Sequence, residues 1–273
     1  MLATVSGLFA VILYALGTLL QGQVLLRDTP PGAAPSPTRT LVLGCALLAL
    51  LVHLVNVAGV IATDQGYDFG FFKIATLFSW TMALLVVGSS LKKPVDNLFL
   101  VLFPVAIVSI LCSLWLPSGY TPQTDLAGGV ALHILLGILA FSIITVAAAQ
   151  ALLIAWLNRK LKRKHFPAML RHLPPLQTME QLLFELIWAG FLVLLGVIAT
   201  GFLFMEDMFA QHLAHKTSLT LVSAGVFGIL LWGRHHLGWR GRTALRWTLS
   251  GFAVLILAYF GSKFVLELLL NRA

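Results

Sequence analysis

The 273 residues are 59% hydrophobic and only 10% charged, where a soluble domain carries about 25% charged and about 45–50% apolar residues. A mean hydropathy of +0.94 excludes a soluble enzyme, and the same composition excludes a disordered chain, a collagen-like repeat and a disulfide scaffold. The net charge of +8 therefore bears on membrane orientation, and nucleic acid is not an expected partner.

A bilayer core of roughly 30 Å takes about 20 apolar residues per helix. Eight such stretches follow one another: Leu2–Leu26, Thr40–Ala62, Phe71–Leu91, Leu98–Leu116, Val130–Trp156, Leu183–Phe204, Thr217–Trp232 and Trp247–Leu270. The predicted fold is all-α, a polytopic integral membrane bundle forming one membrane domain over residues 1–273, with the lipid bilayer as its first partner. No basic residue precedes the first apolar run, so the n-region of a cleavable signal peptide is missing and helix one is expected to stay. The Pro-rich linker Arg27–Pro35 cannot continue that helix.

Fourteen of the 18 Lys and Arg residues fall in the linkers after helices one, three, five and seven. Basic loops stay on the cytoplasmic side, so both termini are expected to be extracytoplasmic. The segment Asn158–Gln181 mixes basic residues with Leu161, Phe166, Met169, Leu170 and Leu173; it reads as a stretch lying along the cytoplasmic interface against anionic head groups. Cys45 and Cys112 fall at opposite depths of the bilayer and are beyond disulfide reach. There is no Cys-x-x-Cys, no covalent haem-attachment motif and no nucleotide-binding fingerprint.

Histidine is the informative residue. His165, His172, His235 and His236 fall in basic loops and read as interfacial polar residues. His53 lies well inside helix two, with Asn56 at i+3 on the same side. Lipid offers such a pair no hydrogen-bond partner, so both should face the bundle interior. Two roles stay open for them: an interhelical hydrogen bond that fixes packing, or a ligand or relay. His133 opens helix five from the outer side, where it reads as a solvated helix-end residue or as a ligand of a metal or haem iron. The loop Met205–Lys216 contains no Pro or Gly and can form a short surface helix. Met208, His212 and His215 then share one face at i, i+4 and i+7, a thioether and two imidazoles suited to haem iron or copper.

Several stretches together resemble the cytochrome c assembly family of bacterial inner-membrane proteins. They are His133-Ile134-Leu135-Leu136-Gly137, Leu173-Pro174-Pro175-Leu176-Gln177-Thr178-Met179-Glu180, Gly190-Phe191, His215-Lys216-Thr217, Gly238-Trp239-Arg240-Gly241-Arg242 and Ala258-Tyr259-Phe260-Gly261-Ser262-Lys263. Within the family the chain is most similar to the YpjD branch, close to the HemX-like proteins, and the likeness is strongest from Asp125 onward. The resemblance implies a bundle that handles haem near its outer face, with His133 standing where the first haem-ligating histidine of the c-type cytochrome synthases occurs. His215-Lys216 stands where the synthases' Trp-rich motif closes. The chain departs from the synthases: no tryptophan lies between Glu206 and Lys216, no histidine follows helix eight, and Leu231-Trp232 replaces the histidine of helix seven.

Three functions are therefore expected in order. The first is a non-enzymatic haem- or tetrapyrrole-handling protein of the bacterial inner membrane, binding haem b through His133 and His215 or His212, with Met208 nearby and His53 as an inner ligand or relay. The second is an accessory or regulatory subunit without a cofactor that works beside other inner-membrane proteins. The third is a small-molecule transporter, whose usual mark is broken helices in paired halves; here only Pro104 interrupts a helix core.

Overall fold

The computed structural model describes residues 1–26, 37–116, 124, 128–162, 173–204, 211–261 and 263–264. Among these, eight helices are long and apolar enough to cross a membrane. They are α1 (Leu2–Leu26), α2 (Pro37–Ile61), α3 (Phe71–Ser90), α4 (Phe99–Trp115), α5 (Gly128–Lys162), α6 (Leu176–Phe204), α7 (Gln211–His236) and α8 (Gly241–Ile256). Two short strands, β1 (Ala62–Thr63) and β2 (Gly66–Tyr67), lie between α2 and α3, and a 3₁₀ turn over Asp96–Leu98 leads into α4. The all-helical bundle read from the sequence is thus the observed architecture.

The helix ends differ from the apolar stretches for local reasons. α5 continues six residues past Trp156 because Arg159, Lys160 and Lys162 are good helix formers. Their charges also suit the negative end of the helix dipole. Asn158–Lys162 of the expected interfacial segment therefore belongs to α5. Leu176–Gln181 opens α6, directly after Pro174-Pro175, whose fixed φ suits a helix start. Residues 163–172 between them lie outside the described set. α7 begins at Gln211, so Gln211–Lys216 is continuous with the spanning helix rather than a separate surface helix. No Gly or Pro interrupts it before Gly225. Residues 205–210, Met208 among them, lie outside the described set. α8 starts at Gly241 because the turn before it is set by two glycines in the left-handed region, Gly238 at φ +66° and Gly241 at φ +54°.

The helices pack as two compact units. One unit holds α1, α2, α3 from Phe72, α4 and the end of α5. Its α1 lies against α2 and α4. Small residues allow the approach: a Cβ on Gly59 would come within 2.8 Å of Ala3 Cβ. The core is aromatic, with Phe99 stacked on Phe103 at 4.7 Å between centroids and Tyr14 tilted against Phe103 at 5.1 Å. α1 turns Leu8, Phe9, Ile12, Leu16 and Leu19 outward, the apolar exposure expected of a lipid-facing surface. At one end Arg39 Nε donates to Asp96 Oδ2 at 2.7 Å and Arg39 Nη2 to the Ser90 carbonyl at 3.0 Å, tying α2 to the end of α3 and the 3₁₀ turn.

The second unit holds α5 as far as Ala155, then α6, α7 and α8. α7 packs along α8, where Ser223 Oγ donates to the Gly251 carbonyl at 2.9 Å. Between α5 and α6, Gln150 Nε2 donates to the Met179 carbonyl at 3.1 Å. The α7–α8 turn is locked by Glu180, whose Oε1 accepts from Arg234 Nη1 at 3.4 Å and from the Gly241 amide at 3.2 Å. Arg234 also lies over the Phe184 ring at 4.4 Å. After Ile256 the chain widens into a π-helical turn, Leu257–Gly261. Beyond it Lys263 Nζ donates to the Phe69 carbonyl.

Candidate functional site

Each unit holds one histidine at the centre of its polar chemistry. In the first, His53 and Asn56 are both fully buried, as a polar pair on an apolar helix must be. The His53 ring lies 3.2 Å from the Tyr14 hydroxyl of α1 through Nδ1 and 3.0 Å from Thr76 Oγ1 of α3 through Nε2. Tyr14 meets the ring edge-on, with centroids 5.6 Å apart. Asn56 Nδ2 donates to the Ala3 carbonyl at 2.7 Å, while its Oδ1 is buried without a partner among the described residues. Deeper in the cluster, the Ser79 and Ser109 hydroxyls bond across α3 and α4 at 2.5 Å. Both nitrogens of His53 are therefore engaged, joining three helices, and ligation of any iron would require one of these bonds to break.

In the second unit, His133 sits five residues into α5 and is half-buried. Its Nδ1 lies 3.2 Å from Thr200 Oγ1 of α6. That hydroxyl in turn donates to the carbonyls of Gly196 at 2.8 Å and Val197 at 3.1 Å. Which of the two atoms donates in the contact between that hydroxyl and His133 Nδ1 follows the ring tautomer, and the Val197 backbone is a further hydrogen-bond partner of the ring. Metal-bound histidines commonly have their second ring nitrogen held by a hydrogen-bond partner, the position that Thr200 takes beside Nδ1.

His133 forms part of the wall of a cavity of about 290 Å³. Ile134, Gly137, Ala140 and Phe141 continue the α5 wall, and Leu194, Val197 and Ile198 supply α6. Lys216, Thr217, Thr220 and Leu221 come from α7, and Leu255, Ala258 and Tyr259 from α8 and the π turn. The π turn shifts the helix register where Ala258 and Tyr259 reach the cavity, a placement common at functional sites. A Cβ built on Gly137 meets nothing within 4 Å, so the wall is open at that point.

An imidazole in an apolar wall that includes aromatic rings is a donor that haem iron can take. The volume lies at the lower edge of small-molecule sites, about 300–1,000 Å³, so it suits one edge of a macrocycle rather than the whole. Among the described residues, no three His, Cys, Asp or Glu side chains gather to hold a bare metal ion. Cys45 and Cys112 are both unpaired thiols.

The sequence-derived candidates do not all meet. His133 is at the cavity. His215 is exposed, and its neighbour Lys216 is the residue that reaches the wall. His212 lies in the first turns of α7 and its side chain falls outside the described set, as does Met208. His53 belongs to the other unit. Sequence reasoning missed Thr200 altogether, and it named Gly137 and Tyr259 only within the stretches of family likeness, not as site residues. The available signals were a lone hydroxyl in the apolar run Leu192–Phe204 and a glycine one turn after His133.

Compared with known proteins, the sequence matches the family described as Cytochrome C assembly protein over residues 42–270. Inner membrane protein YpjD of Escherichia coli K12 is 27% identical over 226 residues, which cover 82% of this chain and 86% of that one. A 28.8 kDa protein in a nifR3-like 5′ region of Azospirillum brasilense is 36% identical over 142 residues, 51% of this chain and 52% of the relative. No solved structure matches.

Proposed function

The chain belongs to the cytochrome C assembly protein family, and we propose on that premise that it is a non-enzymatic, haem- or tetrapyrrole-handling protein of the bacterial inner membrane. The single observation that carries the reading is His133, a half-buried imidazole held through Nδ1 by Thr200 in the wall of an apolar cavity. A neutral imidazole can bind iron without adding a buried charge to the bundle. Haem b, if bound, would supply an iron centre that takes nitrogen ligands and can exchange one electron. His133 is the first ligand in this reading, and His215 or His212 supplies the second, with Met208 nearby. His53, with both nitrogens hydrogen-bonded, holds its helices together.

The name of the E. coli relative supports an inner-membrane location, and the basic loops support extracytoplasmic termini. In that orientation the His133 end of α5 is on the outer side. The test is the absorption spectrum of the protein purified from haem-replete cells. A Soret band that disappears in His133→Ala supports the reading; a colourless protein that also takes up no added haem ends it.

A cofactor-free accessory subunit is the second reading, favoured by the exposure of His215 away from the cavity wall. It expects His133→Ala and His215→Ala to leave function intact while charge reversal across Lys160–Lys164 impairs it. The reverse pattern would remove it.

A further inference from the structure

We propose that the turn joining α7 to α8 is a docking surface for an anionic phospholipid, whose phosphate is held by Arg240, Arg242 and Arg246 while Trp232, Trp239 and Trp247 lie at head-group level. The surface shares no residue with the cavity beside His133 and does not depend on the haem reading.

The charge of this corner is one-sided. Trp232–Trp247 contains Arg234, Arg240, Arg242, Arg246, His235 and His236, and no Asp or Glu occurs from Met208 to Leu266. Arg234 pairs with Glu180 and sits in the last turn of α7, where a cation suits the negative end of the helix dipole. The other three arginines stand against the local field. α8 opens on Arg240 and Arg242 with no acid in its first turn, although the positive end of a helix favours anions. Arg242 and Arg246 are four apart on one face of α8, where like charges repel. All three are exposed, and among the described residues none of them enters an ion pair. Glu180, the acid that reaches the turn, already accepts from Arg234 and from the Gly241 amide. An anion lying across the start of α8 relieves both repulsions at once. The cations are all Arg and none is Lys, and a planar guanidinium fork matches the oxygens of a phosphate.

The backbone holds this corner in one shape. The Leu237 and Trp239 amides donate to the Gly233 carbonyl at 3.0 and 3.1 Å, and Arg234 Nη1 donates to the Trp239 carbonyl at 3.1 Å. The Trp239 ring lies where a Cβ on Gly233 would strike it, and it stacks on Trp247 with centroids 5.3 Å apart. A turn fixed in this way loses little further freedom when a ligand binds. Trp232 and Leu237 are exposed beside it. Tryptophans gather at the membrane–water interface with their rings among the head groups. Three of them therefore set the arginines at the level of the lipid phosphates, where basic clusters flanking membrane helices recognise anionic head groups.

The test is native mass spectrometry of the full chain in detergent, titrated with an equimolar mixture of phosphatidylglycerol and phosphatidylcholine of the same acyl length. The wild-type protein is expected to retain phosphatidylglycerol about tenfold more tightly. Combining Arg240→Gln, Arg242→Gln and Arg246→Gln should bring the two lipids within about twofold of each other. Removing the same charge at the end of α5, by Arg159→Gln, Lys160→Gln and Lys162→Gln, should leave the preference in place. Equal retention of the two lipids by the wild type overturns the proposal without any variant being needed. An equal loss in the α5 variant also overturns it, by reducing the effect to net charge. A photo-crosslinking side chain at Thr243, exposed between the arginines, separates a lipid from a protein partner in cells. A phospholipid adduct supports the proposal, and an adduct with an acidic protein alone overturns it.

Discussion

His53 and His133 are both helix-borne imidazoles in apolar surroundings, yet their partners set them apart. His53 is fully buried and spends both nitrogens, on Tyr14 and on Thr76. His133 is half-buried, and its one side-chain partner among the described residues is the Thr200 hydroxyl beside Nδ1. The first ring closes a network, whereas the second stands at a cavity wall. What separates an imidazole that joins helices from one that can receive a ligand is the hydrogen-bond accounting of its two nitrogens, more than its depth in the bundle.

The sharpest way to break this contrast without touching either histidine is to fill the cavity. Gly137→Leu puts four carbons where a Cβ meets nothing within 4 Å. Displacing that much apolar ligand surface at ~0.8 kcal/mol per carbon amounts to about 3 kcal/mol. Haem uptake in a spectroscopic titration should therefore weaken about a hundredfold. Unchanged uptake would place the ligand elsewhere.

Thr200→Val is the next largest. It removes the hydroxyl that holds Nδ1, and loss of such an outer partner costs metal sites roughly 10–100-fold in affinity. Thr200→Ser keeps the hydroxyl and should restore the wild-type titration, an outcome that a general packing defect would not give.

The network at His53 should respond in stability rather than in binding. His53→Ala leaves the Tyr14 and Thr76 hydroxyls without their partner. Hydrogen bonds between membrane helices average about 0.6 kcal/mol with a maximum near 1.7, so the loss should be about 1–2 kcal/mol, read as a lower unfolding midpoint in detergent. The smallest effect is expected for Glu180→Gln, which weakens a partly exposed ion pair to Arg234. That pair is worth about 1 kcal/mol or less, and the same unfolding assay should show a correspondingly slight shift.

Much of the fold could be read from the sequence because bilayer hydrocarbon enforces long apolar runs, and eight of them stand out. That His53 and Asn56 face inward was legible for the same reason. The helix ends were less so. Apolar stretches mark the hydrocarbon, whereas α5 runs on through Arg159–Lys162 and α6 starts at Leu176, where charged and polar residues are sound helix formers outside it. The candidate site was legible only in part. His133 stood out as a polar residue at a helix end, but its partner Thr200 is 67 residues away, and nothing in an apolar run tells which helix face a threonine will occupy. Lys216 rather than His215 reaches the cavity, a difference of one residue, or about 100° around the helix. The π turn that brings Tyr259 into the wall leaves no mark in composition at all.

The most direct measurement is a parallel haem titration of the wild-type, His53→Ala and His133→Ala proteins in nanodiscs, followed at the Soret band. The account predicts that His53→Ala saturates like the wild type while His133→Ala shows no ligand-dependent shift. Retained binding in His133→Ala together with lost binding in a folded His53→Ala protein would contradict it.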